Sequence, residues 1–260
     1  MTTTKTWQQL APRRGALSRL RPADRDVWGE RLGFDRERAD RHQSGDLVAI
    51  TKAVQERARV AGAEAVVLSG STARGHRTRV SDLDYHVVGV SSLHVADLPQ
   101  DIDLYADSVD RFWEKLREGD DFAHWSVWYG CVLFDSGVMR EAAAFVAEQD
   151  AWPDPERKLQ QARGALDFAG QIAESGDYGA ALEQTRGALS LAARWVLLSN
   201  DVFPLARDEM PGQLEGLGWT KLARDVRCSI RERPSIENLR AAIANAHEIA
   251  DAGRTRRAAA

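Results

Sequence analysis

The stretch that decides the fold reads Leu68-Ser69-Gly70-Ser71-Thr72-Ala73-Arg74-Gly75-His76-Arg77-Thr78-Arg79-Val80-Ser81-Asp82-Leu83-Asp84-Tyr85-His86-Val87-Val88. The apolar run Ala65-Val66-Val67-Leu68 leads into it and predicts a short buried strand, bounded by Gly62 and Gly70. A short helix can start at Gly70-Ser71, and Leu83 to Val88 predicts a second strand. Side chains two apart on a strand share a face, so Asp82 and Asp84 project together while Leu83, Tyr85 and Val87 turn to a core. Two carboxylates on one face repel each other unless a cation sits between them. Hard oxygen ligands at that spacing suit Mg²⁺, which keeps one or two protein carboxylates and takes phosphate oxygens besides. Gly70, with no Cβ, lets a ligand come close to the backbone, and Ser71 adds a hydroxyl to the N–H groups of a helix start. The plainer reading, a strand–turn–strand with surface aspartates, leaves unexplained why two acids open an apolar, β-rich strand. A P-loop is excluded, because Gly70 to Gly75 lacks the Gly-Lys-Ser/Thr ending.

Outward from this stretch, apolar residues at helical spacing from Leu47 to Val60, capped at Ser44-Gly45-Asp46, predict a helix to about Ala61. Ile102 to Tyr105 predicts a third strand, and Ser108 caps a helix through Phe112, Trp113 and Leu116. Trp128 to Phe134 predicts a further strand, closed by the turn Asp135-Ser136-Gly137, with a helix from Val138 to Glu148. Pro153 and Pro155 mark a boundary. Beyond it, residues 156–175, 178–199, 212–228 and 235–252 are Ala- and Leu-rich with helical period. The organisation expected is an arm over 1–43, a mixed α and β domain over 44–150 and an all-helical domain over 151–260. The fold class is therefore α+β, a small mixed-sheet domain followed by a helical bundle.

Bulk composition excludes several function classes. The chain has 260 residues with 35 Lys and Arg against 39 Asp and Glu, so it carries no global basic excess of the kind a non-specific nucleic-acid binder uses. Cys131 and Cys228, far apart in sequence, form neither a zinc cluster nor a disulfide framework. His76 and His86 flank the Asp pair without metal-ligand spacing, and a hydrogen-bonding or core role is expected for His86. No apolar run reaches the ~20 residues of a spanning helix, and residues 1–20 lack a signal-peptide apolar core. A cytoplasmic location without membrane partners is the expectation.

The pattern Gly70-Ser71, ten residues, then Asp82-x-Asp84 resembles the signature of the polymerase-β-like nucleotidyltransferase superfamily, with Val66-Val67-Leu68 and Tyr85-His86-Val87-Val88 where that family has its first two active-site strands. Ser81 matches a common form of the motif. The resemblance implies a third carboxylate on a later strand, for which Asp103 in Ile102-Asp103-Leu104 is the natural choice; Asp101 and Asp107 are less well flanked and are read as surface acids. A catalytic domain followed by helices resembles the antibiotic-modifying branch. What the family implies is transfer of a nucleoside monophosphate, by habit AMP from ATP, to a hydroxyl, with release of pyrophosphate. Asp82, Asp84 and Asp103 would hold Mg²⁺, as a two-ion site, with Asp103 also a base toward the acceptor. Gly70, Ser71 and Ser81 would line the nucleotide phosphates, and Arg74 would face the leaving pyrophosphate or be a surface arginine.

The acceptor is read from charge. Residues 101–150 hold 12 Asp and Glu against 4 Lys and Arg, and the 101–121 part of that stretch, beside the proposed base, reads either as a solvated helix face or as a field that draws a small cationic hydroxylated acceptor, an aminoglycoside for example. Trp125 reads either as a face for sugar rings or ammonium groups or as core packing between domains. Trp128 is read first as core. Glu183, early in the helix after Gly176-Asp177-Tyr178, reads as a contact to an acceptor amine, as an alternative base, or as a plain dipole partner. Nucleotidylation of a protein or an RNA, or a non-enzymatic antitoxin-like member, are the competing readings. The acid stretch disfavours RNA, and an intact repulsive acid cluster disfavours the non-enzymatic reading. Whether two subunits share a site as a homodimer is left open.

Overall fold

The computed structural model describes residues 45–73, 82–98 and 102–231. These fall into two compact units that divide between Pro153 and Asp154. The expected arm over 1–43, the Ser44 cap and the helix over 235–252 lie outside the described residues.

The first unit is built on four strands, β1 (Ala65–Leu68), β2 (Leu83–Val88), β3 (Ile102–Asp107) and β4 (Cys131–Asp135), in the order β3-β2-β1-β4. β1 pairs antiparallel with β2 and with β4, whereas β2 and β3 run parallel, so the sheet is mixed. β1 is buried at all four positions, as a strand with neighbours on both sides and covered faces must be. Helix α1 (Gly45–Val60) buries Ile50, Val54 and Ala58, a helical stripe. Its Thr51 hydroxyl meets the Tyr85 hydroxyl at 2.9 Å, so α1 covers the sheet face that carries Tyr85 and Val87. The turn α2 (Gly70–Ala73) follows β1.

The opposite face of β2 carries Asp84 and His86 and is covered by α3 (Val109–Arg117) and α4 (Asp121–Tyr129). The ring of His86 lies against Phe112 of α3 and Phe122 of α4, at 5.5 and 5.2 Å between centroids. As expected, Ser108 caps α3 through the Arg111 N–H. Trp128 and Tyr129, read from sequence as strand, instead end α4, and the strand begins only at Cys131. Gly130 makes the junction: a Cβ there would lie 2.2 Å from a Val67 methyl and 2.3 Å from the Ser126 carbonyl. Trp128 is buried, as expected, with its ring 6.3 Å from that of Trp152. α5 (Val138–Glu148) follows β4, and the Asp135 carboxylate accepts from the N–H groups of Gly137, Met139 and Arg140.

The second unit is helical among the described residues, with α6 (Pro155–Glu174), α7 (Tyr178–Ser199), α8 (Met210–Gly216) and α9 (Thr220–Arg231). Asp154 caps α6 and Asp177 caps α7, each accepting a backbone N–H. The single helix expected over 212–228 is two helices, broken at Gly218, whose φ of +84° is left-handed. Leu189, Val196, Met210, Leu214, Leu222 and Val226 pack as the core of this unit. The buried Gln213 amide ties down the connection before α8, donating to the Phe203 carbonyl and accepting from the Leu205 N–H, both at 2.9 Å. The fold class is thus α+β, a mixed sheet with helices followed by a helical part. No helix of the described residues is long and apolar enough to cross a membrane.

Candidate active site

Strand register brings the acids together. Asp84, the second residue of β2, is the direct partner of Asp103, the second residue of β3. Directly paired residues of parallel neighbours point to the same face, about 4.8 Å apart along the sheet. Asp82 precedes β2 and is exposed. One carboxylate oxygen from each of Asp82, Asp84 and Asp103 lies within 4.8 Å of the other two. Ligands about 2.1 Å from a Mg²⁺ centre are spaced by about 3 to 4.2 Å, so a small side-chain rotation closes the set on one ion. Three carboxylate oxygens are the donor chemistry of a hard divalent cation.

Gly70 completes the arrangement. It sits at φ +64°, and a Cβ there would lie 1.8 Å from Asp84 Oδ2. The Ser69 N–H donates to the Asp84 carbonyl at 2.8 Å, so the bend after β1 is laid directly against the acid. The hydroxyls of Ser69 and Thr72, flanking that bend, are buried without a partner among the described residues. Ser71 is half-buried beside Gly70. Half-burial and the repulsion of Asp82 and Asp103 push the Asp84 carboxyl up to about 6. A carboxylate held against its own preference in this way is relieved by a cation.

Two residues along the same strand faces lie features that the sequence reading missed. Tyr105 donates to Asp103 Oδ2 at 3.0 Å. Burial first, then the bond to Asp103 and the surrounding acids, push its phenol up to about 12, so it keeps its proton and stays a hydrogen-bond donor throughout the physiological range. The i, i+2 relation of Asp103 and Tyr105 on a strand was the available signal. Behind them His86, fully buried, bonds Ser126 Oγ through Nδ1 at 2.9 Å and Asp107 Oδ2 through Nε2 at 3.0 Å. The hydrogen-bonding role expected for His86 is what the structure has. Asp107, read as a surface acid, is 5 % exposed and also takes the Lys115 ammonium at 2.7 and 2.8 Å. Those bonds from His86 and Lys115 hold its carboxyl down at about 2, against the opposing pull of burial.

Among the described residues, the remaining sequence-derived site residues are not brought into the acid triad. Arg74, Ser81 and Asp101 lie outside the described residues. Trp125 is 6 % exposed and its ring tilts against Tyr129 at 5.3 Å, so it is packed in the core rather than presented as a face. Glu183 belongs to the helical unit, on α7, exposed and ion-paired with Arg186 one turn along. The acidic stretch is largely occupied by local structure. Asp107 is paired within the fold, Asp120 caps α4, Asp121 is buried and Glu114 pairs with Arg111. Sequence counting put all of these in one acid field, whereas among the described acids of residues 101–121 Asp103 is the one that converges with Asp82 and Asp84; Asp110 and Glu118 are exposed in the first turn and at the end of α3.

No protein-family model and no curated protein matches the chain. Among solved structures, the chain is similar to a nucleotidyltransferase-like protein from Exiguobacterium sibiricum 255-15, with 14% sequence identity and a TM-score of 0.38, over 78% of this chain and 74% of that one.

Proposed function

We propose that this protein is a nucleotidyltransferase that moves AMP from ATP to a hydroxyl of a small cationic acceptor, of which an aminoglycoside is the type, with release of pyrophosphate. The reading is carried by one observation: Asp82, Asp84 and Asp103 converge within 4.8 Å beside a glycine bend that touches Asp84. Mg²⁺ bound by this set would supply charge neutralisation for the triphosphate and its leaving group. Asp103, on the exposed edge of the triad, takes the proton of the acceptor hydroxyl. The acceptor oxygen then bonds the α-phosphorus, the bond from that phosphorus to the bridging oxygen breaks, and pyrophosphate departs. By resemblance to the motif, Ser71 and Ser81 are the residues proposed to contact the phosphates and Arg74 the one proposed to meet the leaving group.

The test is pyrophosphate release by purified protein with Mg²⁺, each nucleoside triphosphate in turn, and a panel of aminoglycosides, lincosamides, basic proteins, RNA and buffer controls. Release with ATP and an aminoglycoside is the expected result. Release with a protein or RNA substrate instead would keep the chemistry and replace the acceptor. No release with any combination would overturn the reading.

Gly70→Ala gives a second check. An L residue at that φ costs about 1–2 kcal/mol, and its methyl must displace the Asp84 carboxylate. A displacement of the order of 1 Å in a positioning group costs about 100-fold in rate, so transfer should fall by that factor while the melting temperature drops by about 2–8 °C, as a cost of about 1–2 kcal/mol implies. Full activity in this variant would mean that the bend is not part of the site.

A further inference from the structure

We infer that Tyr105 is a positioning residue of the active site, which acts by holding the Asp103 carboxylate in the orientation that the cation and the acceptor need. The inference deepens the proposed function and rests on that reading of the triad.

Asp103 stands on an exposed position of β3, and a side chain there has several rotamers open to it. Its two acidic neighbours repel it, so without a tether its favoured orientation is away from them. The Tyr105 hydroxyl supplies the tether, donating to Oδ2 at 3.0 Å and leaving Oδ1 without that constraint. The tether is itself fixed. The Tyr105 ring lies 4.4 Å from the Phe122 ring, and Phe122 in turn lies 5.2 Å from the ring of His86. His86 is clamped by Asp107 and Ser126. A line of contacts thus runs from the buried floor of the sheet to the oxygen of Asp103. A donor bound to a metal-ligating carboxylate in this way sets ligand orientation, and its loss typically weakens metal binding by about 10- to 100-fold.

Tyr105→Phe removes the hydroxyl and keeps the ring on Phe122. Mn²⁺, a spectroscopic stand-in for Mg²⁺, is titrated into wild type, Tyr105→Phe, Asp103→Ala and the double variant, with Asp84→Ala as reference. The expected result is Mn²⁺ binding about tenfold weaker in Tyr105→Phe, and a matching rise in the Mg²⁺ concentration needed for half-maximal transfer, at an unchanged melting temperature. In the Asp103→Ala background the same substitution changes nothing further, because the residue acts only through that carboxylate. Wild-type Mn²⁺ affinity in Tyr105→Phe, or an equal loss in both backgrounds, overturns the inference while leaving the triad intact. If Asp84→Ala itself binds Mn²⁺ as tightly as wild type, the metal reading of the triad has failed, and the role of Tyr105 falls with it.

Discussion

Asp84→Ala should abolish the proposed nucleotidyl transfer and, without metal, leave a protein that is more stable than wild type above pH 6. The first half follows from the cation's share of the reaction. Several kcal/mol of charge stabilisation are lost with a central ligand, which is a rate loss on the order of 1,000-fold or more. The second half follows from the carboxyl being pushed up to about 6 in the folded chain by burial and by its two acidic neighbours. A raised acid is a cost to the fold when it ionises. Below about pH 4 the group is protonated in both folded and unfolded chains and the cost is absent. It grows as pH rises and is complete above about pH 6. Because the group is only partly buried, solvent screening reduces the effect to about 1 kcal/mol. Thermal melts of wild type and variant from pH 4 to pH 8 should therefore diverge, with wild type falling behind. Mg²⁺ should close the gap by stabilising wild type alone. A variant that transfers at the wild-type rate would remove the triad from the mechanism. Parallel melting curves over that range would remove Asp84 as the source of the pH dependence.

Much of the site was legible because its signals are local. β1, β2, the glycine bend and the paired aspartates all lie within one continuous stretch, and the alternation of a strand fixes which side chains share a face. Asp103 was chosen through the resemblance, and the β2–β3 register places it directly opposite Asp84. What escaped was of two kinds. The helix Asp121–Tyr129 is buried on nearly every side, so it has no polar face to give it a helical period, and its Trp, Val and Tyr favour strand. The signal that could have found it was Asp120, which caps it by accepting the Phe122 and Ala123 N–H groups. The second kind was long-range pairing. Asp107 meets His86 across 21 residues of sequence, and no periodicity reports such a meeting. The same lack of partner information inflated the acid field, since a carboxylate that caps a helix and one that faces a ligand look alike in a sequence.

That buried pairing sets the other large effect. Asp107→Ala should destabilise the first unit by about 3 kcal/mol. Removing one partner of a buried charge pair costs about 3–5 kcal/mol, because the other is left uncompensated. The lower end applies, since Lys115 is 24% exposed and its ammonium can turn to water. His86 has no such escape: with its side chain wholly buried, it loses one of its two hydrogen bonds. The pH dependence has the opposite sign to that of Asp84. Asp107 is held at about 2, below its ordinary value, so its contribution is complete above about pH 4 and is lost as pH falls through about 2. Urea unfolding monitored by Trp fluorescence should thus show a large gap between wild type and variant at pH 7 that narrows below pH 4. Because His86 braces Phe122, the variant should also loosen the site two residues away on the same strand, with weaker Mn²⁺ binding even where the protein is fully folded. A stability equal to wild type at pH 7 would mean that the ion pair is solvated in solution. A stability loss with unchanged Mn²⁺ affinity would confine the network to holding α3 and α4 on the sheet.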